Sequence, residues 1–332
     1  MEKRKRPFDF SHTETDKLID KMEKKVSKEY AKAVKQTTKK LDDYLKGFAA
    51  EDASKLAELK AGKITVEQYR KWRTSQIMTE KRWTDMRDSL ARDYVNADKI
   101  AKSVVNGYMP EVYALNCNYA MYQIEKEIGM RTSFTLYSRE AAEKIIRENP
   151  KILPAMGKRM KQKIAEGKAV KWQAGRIQSV TLQAILQGES IPNMAKRICT
   201  ELGEKNRAAS VRYARTAATS AENAGRMDAY HRAQDEGIEL QKTWIATLDD
   251  RTRHWHRELD GQTVGIDEPF NNEYGDIMYP GDPDAEDGAN IWNCRCAMIT
   301  QIAGFERDVE DLDLRYDANL NGMSYEEWKA SL

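Results

Sequence analysis

Between residues 13 and 48 the apolar side chains Leu18, Met22, Val26, Tyr30, Val34, Leu41, Leu45 and Phe48 recur at steps of three, four or seven, with Lys, Glu and Asp between them. That period lines them up on one side of an α-helix, so the chain must begin with a long amphipathic helix that buries a stripe. The texture returns over 65–107, where Val66, Tyr69, Trp72, Ile77, Trp83, Met86, Leu90 and Tyr94 share a helical face. Punctuation between these runs is sparse. Gly47 and Gly62 bracket a short helix over 50–61, Asn106-Gly107 closes the second run, and Pro110 opens a third helix that reaches Gly129. Helices of this length with short joints make an elongated bundle or hairpins.

Composition narrows the class. A chain of 332 residues with 40% hydrophobic and 33% charged residues is a globular protein with much solvated helix surface. No segment approaches the roughly 18 apolar residues that a membrane span needs, so no membrane partner is expected. Residues 1–10 are charged and lack the apolar stretch of a secretory signal. Four cysteines, two of them in a Cys-x-Cys pair, make no disulfide framework and fit a reducing site of synthesis. Cys117 and Cys199 fall on helices among apolar neighbours and read as small core residues. The net charge of +2 hides an asymmetry: residues 1–245 hold 48 basic and 33 acidic side chains, whereas 246–332 hold 7 and 20. A basic front permits contact with a polyanion, and a solvated helix surface explains it equally well.

Further on, 133–137 reads as a strand, 138–148 as a helix, and Pro150 and Pro154 as a connection. Residues 158–171 are strongly basic, but only Trp172 offers a stacking surface, which favours a solvated face. Helices over 177–187 and 194–202 flank the break at Gly188-Glu189-Ser190, with Pro192 in a first turn. A long helix over 207–235 differs in character. Ala214, Ala217, Ala218, Ala221, Ala224 and Gly225 give it a small-residue face that another element can approach closely, at a cost of about 1 kcal/mol for the mid-helix glycine. Arg215, Glu222 and Arg226 lie near this face and are expected to bind the extended segment that follows. Gly237 is a suitable residue to end the helix. Over 239–247, Leu240, Trp244 and Ala246 set against Lys242 and Thr243 make the best strand in the chain. A short helix or turn over 250–259, a hairpin turn at Asp260-Gly261, a strand over 262–264, a loop over 267–287 and a closing strand over 297–302 complete the pattern. The acidic tail over 306–332, with Tyr316, Tyr325 and Trp328, is either disordered or docked on a neighbour.

Chemistry concentrates in the last third. His254 and His256, with Cys294 and Cys296, supply two imidazoles and two thiols, a donor set suited to a tetrahedral zinc ion. The bland reading has His256 hydrogen-bonded to a carboxylate and both thiols simply buried. Two enzymatic readings stand beside it: a cysteine hydrolase in which His256 activates Cys294 or Cys296 with Asp249 or Asp250 orienting it, and a metal-dependent nuclease on the same residues. Asp250, Arg251 and Asp282 also have turn and capping explanations.

The order of motifs resembles a known family. Arg215-Thr216, then Asn223-x-Gly225-Arg226, Trp244, Asp250-Arg251-Thr252-Arg253, His256-x-x-Leu259-Asp260-Gly261-Gln262, Pro280-Gly281-Asp282-Pro283 and Asn293-Cys294-Arg295-Cys296 are similar to the head-morphogenesis domain of Mu F-like phage minor head proteins. The likeness covers about 189–304, and departs at Ala217, where an acidic residue often stands, and at His254, an additional histidine. It implies a mainly α fold with a small α+β C-terminal domain and an elongated helical N-terminal part. The organisation it implies is a helical region over 1–187, a Mu F-like domain over 188–304 and an acidic tail over 305–332, too short for the toxin or transferase domains that some relatives carry. The functional implication is a minor capsid protein without catalysis, made in the host cytoplasm and retained in the virion at the portal vertex. Its implied partners are the portal protein, major capsid or scaffold protein, and packaged DNA through the basic N-terminal region.

Overall fold

The computed structural model describes residues 9–78, 81–154, 168–302, 315–316 and 320–332. Helix α1 spans Phe10–Lys60, α2 Val66–Met78, α3 Lys81–Ile128, α4 Arg139–Glu148, α5 Ala169–Leu186, α6 Ile191–Cys199 and α7 Lys205–Asp235. Two breaks read in the sequence are absent. Gly47 lies inside α1, where an added Cβ would meet nothing within 4 Å, so the residue costs the helix only its weak propensity. Pro110 lies inside α3, where it removes a backbone bond at about 3 kcal/mol. The fully buried Met109 and Val112 beside it anchor the helix on both sides and override that local preference.

The chain forms two compact units from interleaved stretches. One contains Met1–Met22, Val105–Ala155 and Arg212–Leu332, the other Glu23–Val104 and Met156–Val211. Each of α1, α3 and α7 contributes residues to both, and neither unit coincides with the sequence blocks 1–187 and 188–304. Most of the basic stretch 158–171 falls outside the described residues.

The second unit is all helical. Val26, Tyr30, Leu41, Tyr44, Ile77, Trp83, Leu90, Tyr94, Ile177, Ile185, Ile198 and Leu202 are buried there, which is the stripe that the periodicity requires. Helix α2 begins with a reciprocal cap: the Gln68 N–H donates to Thr65 Oγ1 at 3.1 Å and the Thr65 N–H to Gln68 Oε1 at 2.8 Å. Ser190 caps α6, and a π-turn over Thr200–Glu204 leads from α6 into α7.

The first unit packs α4 and its parts of α1, α3 and α7 with every strand of the described residues. Strand β2 (Leu240–Ile245) is the centre of a three-stranded antiparallel sheet, between β3 (Thr263–Gly265) and β6 (Ala297–Ile302). The register pairs Trp244 with Met298 and Lys242 with Thr300. Helix α8 (His254–Glu258) follows β2, and β4 (Phe270–Asn272) pairs with β5 (Gly275–Ile277). The architecture is mainly helical, with long N-terminal helices and a small C-terminal region of antiparallel strands.

Two local expectations are corrected, and of the two alternatives for the tail the docked one holds for its last residues. Residues 133–137 form no strand, because side chains satisfy their backbone instead: Asn118 brackets Tyr137, accepting from its N–H at 2.9 Å and donating to its carbonyl at 3.1 Å. The strand here is the two-residue β1 (Met130–Arg131), paired with β7 (Arg315–Tyr316). Lys242 is on the same side of β2 as Leu240 and Trp244 and is fully buried, its Nζ donating to the Ile266 carbonyl at 2.7 Å. The last residues dock: a capping box at Ser324 starts α9 (Tyr325–Ala330), Trp328 is fully buried in the core with Tyr122 and Phe134, and its indole N–H donates to Glu125 at 2.6 Å.

Candidate functional site

Helix α7 is the backbone of the site. Alanines 214, 217, 218 and 221 are fully buried, and at Gly225 the helix comes so close to α3 that a Cβ would lie 2.4 Å from the Tyr113 carbonyl oxygen. The polar side chains on this helix grip the segment leading into β6. Thr216 Oγ1 accepts from the Asn293 N–H (2.9 Å), and Thr219 Oγ1 donates to the Cys294 carbonyl (2.7 Å). Asn223 Nδ2 reaches the Cys296 carbonyl (3.5 Å), and Arg226 Nη1 the Met298 carbonyl (2.7 Å). A helix advances about 4.5–6 Å over three or four residues and an extended segment about 6.6 Å over two, so positions 219, 223 and 226 keep step with 294, 296 and 298, and Thr216 meets the bend at Asn293 before them. Asn223 also donates to the Pro280 carbonyl at 3.1 Å. There Gly281, at φ +79°, brings the loop within 3.0 Å of the Ser220 nitrogen, measured to a Cβ that glycine lacks.

Arg226 is the charged centre of this grip. It is 1% exposed, ion-paired to Asp9 at 2.7 Å and Glu222 at 3.1 Å, and donates to Ser11 and to Asn116. Burial alone would pull its pKa down, and the two carboxylates more than reverse that. Glu222 in turn holds His12 Nδ1 at 2.8 Å; its charge beside the imidazole outweighs the cost of burial and raises His12 to about 9. Burial pushes Asp9 up, but Arg226 prevails and holds it at about 2. Sequence reading expected Arg226 to bind the segment just after α7. It binds β6, four strands later, while β2 pairs through its own backbone with β3 and β6.

Behind the gripped segment lies a sulfur–imidazole cluster. His256, Cys294 and Cys296 are each 2% exposed. His256 Nδ1 is 3.6 Å from Cys294 Sγ and 3.4 Å from Cys296 Sγ. The Cys296 N–H donates to Cys294 Sγ at 3.4 Å, and all four cysteines of the chain are free thiols. The hydrogen bond from the neighbouring thiol, reinforced by His256, holds Cys296 well below the ordinary thiol range, while the same pairing and burial push Cys294 up. Among the described residues this is the one group of histidine, cysteine and carboxylate donors close enough to hold a metal ion. The structure does not bring His254 to it: that ring is 67% exposed and pairs with Glu273 at 2.8 Å. Positions two apart on a helix face nearly opposite ways, and 256 is the one that α8 turns inward, against the fully buried Trp244.

The remaining motif residues shape the loops. Asp260 Oδ1 accepts from the Ala246 N–H at 2.8 Å, and Gly261, at φ +83°, donates to the Trp244 carbonyl at 2.9 Å. Asp282 accepts from the N–H groups of Met278 and Asp284. Asn293, at φ +59°, turns the chain into the cysteine pair. Asp250 and Arg251 are exposed, and Arg215 lines a polar cavity with His12 and Glu222. Sequence reading missed Thr219, His12 and Asp9, which grip or complete the charged centre. It also singled out Asp250, whereas Asp249 makes the two-pronged pair with Arg295, both contacts at 2.6 Å. That pair draws Asp249 below the usual carboxylate range. The signal for Thr219 was its position three residues after Thr216 and four before Asn223.

Comparison with known proteins agrees with this arrangement of motifs. Residues 175–299 match the family described as Phage Mu protein F like protein. Over that segment the chain is similar to Mu F-like head proteins. It is 26% identical over 291 residues to the minor head protein GP7 of Bacillus phage SPP1, an alignment spanning 87% of this chain and 85% of that one. It is also 27% identical over 247 residues to an NAD(+)–arginine ADP-ribosyltransferase of Enterococcus faecalis, covering 71% of this chain and 46% of the other. An uncharacterized protein of Haemophilus influenzae is 24% identical over 212 residues, 64% of this chain and 41% of its own length. The chain thus spans less than half of the last two proteins. No solved structure matches it.

Proposed function

We propose that this Mu F-like protein is carried in the virion at the portal vertex, inside the capsid, and serves head assembly and DNA packaging or ejection without catalysis of its own. The observation that carries the reading is the near full-length, colinear likeness to a phage minor head protein, which takes in the long helices as well as the motif region. The residues most suggestive of chemistry support it too. His256, Cys294 and Cys296 sit within the reach of a nucleophile and its base, but at 2% exposure no substrate can approach them. That burial weighs against a metal-dependent nuclease or a cysteine hydrolase centred on the three. Burial also gives the motif a different purpose, that of fixing a rigid knob on α7.

The portal protein is the partner we assign to this knob and the helices that carry it. Major capsid or scaffold protein are further contacts during assembly in the host cytoplasm, and the excess of basic side chains over 1–245 reaches packaged DNA through phosphate charge alone. Affinity capture with the portal protein from the same genome tests the reading. Retention of the chain at stoichiometric level is expected; absence of retention, with normal heads from phage lacking this gene, overturns it. DNA retention is expected to fall steeply with salt, and salt-insensitive binding removes the phosphate role.

A further inference from the structure

We propose that His256, Cys294 and Cys296 bind one zinc ion, which ties helix α8 to the segment that enters β6. Geometry is the first argument. In a tetrahedral site with Zn–N of about 2.0 Å and Zn–S of about 2.3 Å, neighbouring nitrogen and sulfur ligands stand about 3.5 Å apart. The two sulfurs here stand 3.4 and 3.6 Å from Nδ1. Both converge on the same ring nitrogen. That atom has a single in-plane lone pair or a single proton, so it can complete one hydrogen bond and not two. A cation at the shared point satisfies all three atoms together.

Charge and support are the second argument. Two thiolates and a neutral imidazole give a divalent ion a neutral surrounding in a place where unpaired charge would be costly. The Cys296 N–H already points at Cys294 Sγ, the kind of backbone bond that steadies a thiolate ligand. Sulfur and imidazole together select a thiophilic ion such as Zn²⁺ over Mg²⁺ or Ca²⁺. Location is the third argument. Between β2 and β6 the chain is mostly loop, and one ion would pin its two ends where α8 and the cysteine pair meet.

The experiment uses the full chain purified without chelators. Elemental mass spectrometry should give about one zinc per chain. Exchange into Co²⁺ should give thiolate charge-transfer absorption and the intense visible bands of a tetrahedral centre. Cys294→Ser and Cys296→Ser should each abolish stoichiometric zinc, while Cys199→Ser and His254→Ala should keep it. Chelation of the wild-type protein should lower its melting temperature by about 5 °C or more, reversibly on adding zinc. Because wild-type protein carries the metal and cobalt readouts, a variant that fails to fold does not decide the matter. A wild-type protein with no stoichiometric metal and no cobalt spectrum after reduction overturns the proposal, as does a Cys294–Cys296 disulfide in its place.

Discussion

Replacing Gly225 by alanine sets two effects against each other whose sizes can be read from the structure. Helix propensity alone favours the substitution by about 1 kcal/mol, since glycine is a poor residue in the interior of α7. The new methyl, however, would lie 2.4 Å from the Tyr113 carbonyl oxygen and 3.2 Å from the Cys117 nitrogen. Ordinary contact begins near 3.4 Å, so the two helices would have to part by about 1 Å. The atoms in the way are backbone of α3, flanked by the fully buried Val112 and Cys117, and no rotamer change can clear them. Overpacking of this kind costs about 1–3 kcal/mol, and a backbone obstacle puts it at the upper end. The net expectation is a loss of about 2 kcal/mol. Gly107→Ala is the matched control: it too lies within a long helix of the same unit, but nothing lies within 4 Å of its Cβ position. That change should gain about 1 kcal/mol. At about 2–4 °C per kcal/mol, calorimetry should show Gly225→Ala melting about 4–8 °C lower and Gly107→Ala about 2–4 °C higher. Shifts of the same sign, or a neutral Gly225→Ala, would refute the close-approach argument.

Two further outcomes follow from the charged centre. Arg226→Met keeps the volume but leaves Asp9 and Glu222 buried without their cation and frees the Met298 carbonyl, so it should cost about 3–5 kcal/mol, read as a lower urea midpoint at unchanged slope; a loss under about 1 kcal/mol would show the network to be dispensable. His12 titrates near 9 when folded against an ordinary value of 6.5, so the folded chain holds the extra proton between those values. The stability it contributes is complete below about pH 6.5 and is lost as pH rises through 9, by at most about 3 kcal/mol at 1.36 kcal/mol per unit. Melting temperature should therefore fall between pH 6.5 and 9, and His12→Gln should flatten that slope; an unchanged slope in the variant assigns the titration elsewhere.

What the sequence made legible was what repeats locally. The stripe from Leu18 to Leu45, the alanine face of α7 and the strands at 239–247 and 297–302 each follow from period, and each is where the pattern put it; that the two strands pair came only with the fold. Lys242 was misread: its charge set it opposite Leu240 and Trp244, whereas it shares their parity and is buried with them. Pro110 shows the converse: a strong local signal yields to tertiary burial on either side. Long-range polar partners were not legible. Nothing local ties Asp9 to Arg226 across 217 positions, or selects Asp249 over Asp250 for Arg295, because those choices depend on which atoms the completed fold leaves facing each other. The cysteine pair and His256 were visible as types; that His254 turns outward is a matter of helix phase.

The charged centre draws on chain that alignment with the family leaves out. Arg226 lies inside the matched segment 175–299, but its ion-pair partner Asp9, its hydrogen-bond acceptors Ser11 and Asn116, and Tyr113, against which Gly225 is fitted, all lie upstream of it. A gene fusion or truncation that preserved only the recognisable third of the chain would therefore excise a guanidinium from its counter-ions and strip α7 of the helix it is shaped to meet. The portable unit is set by that wiring, and any transplant that keeps its shape must bring residues from near the start of the chain with it.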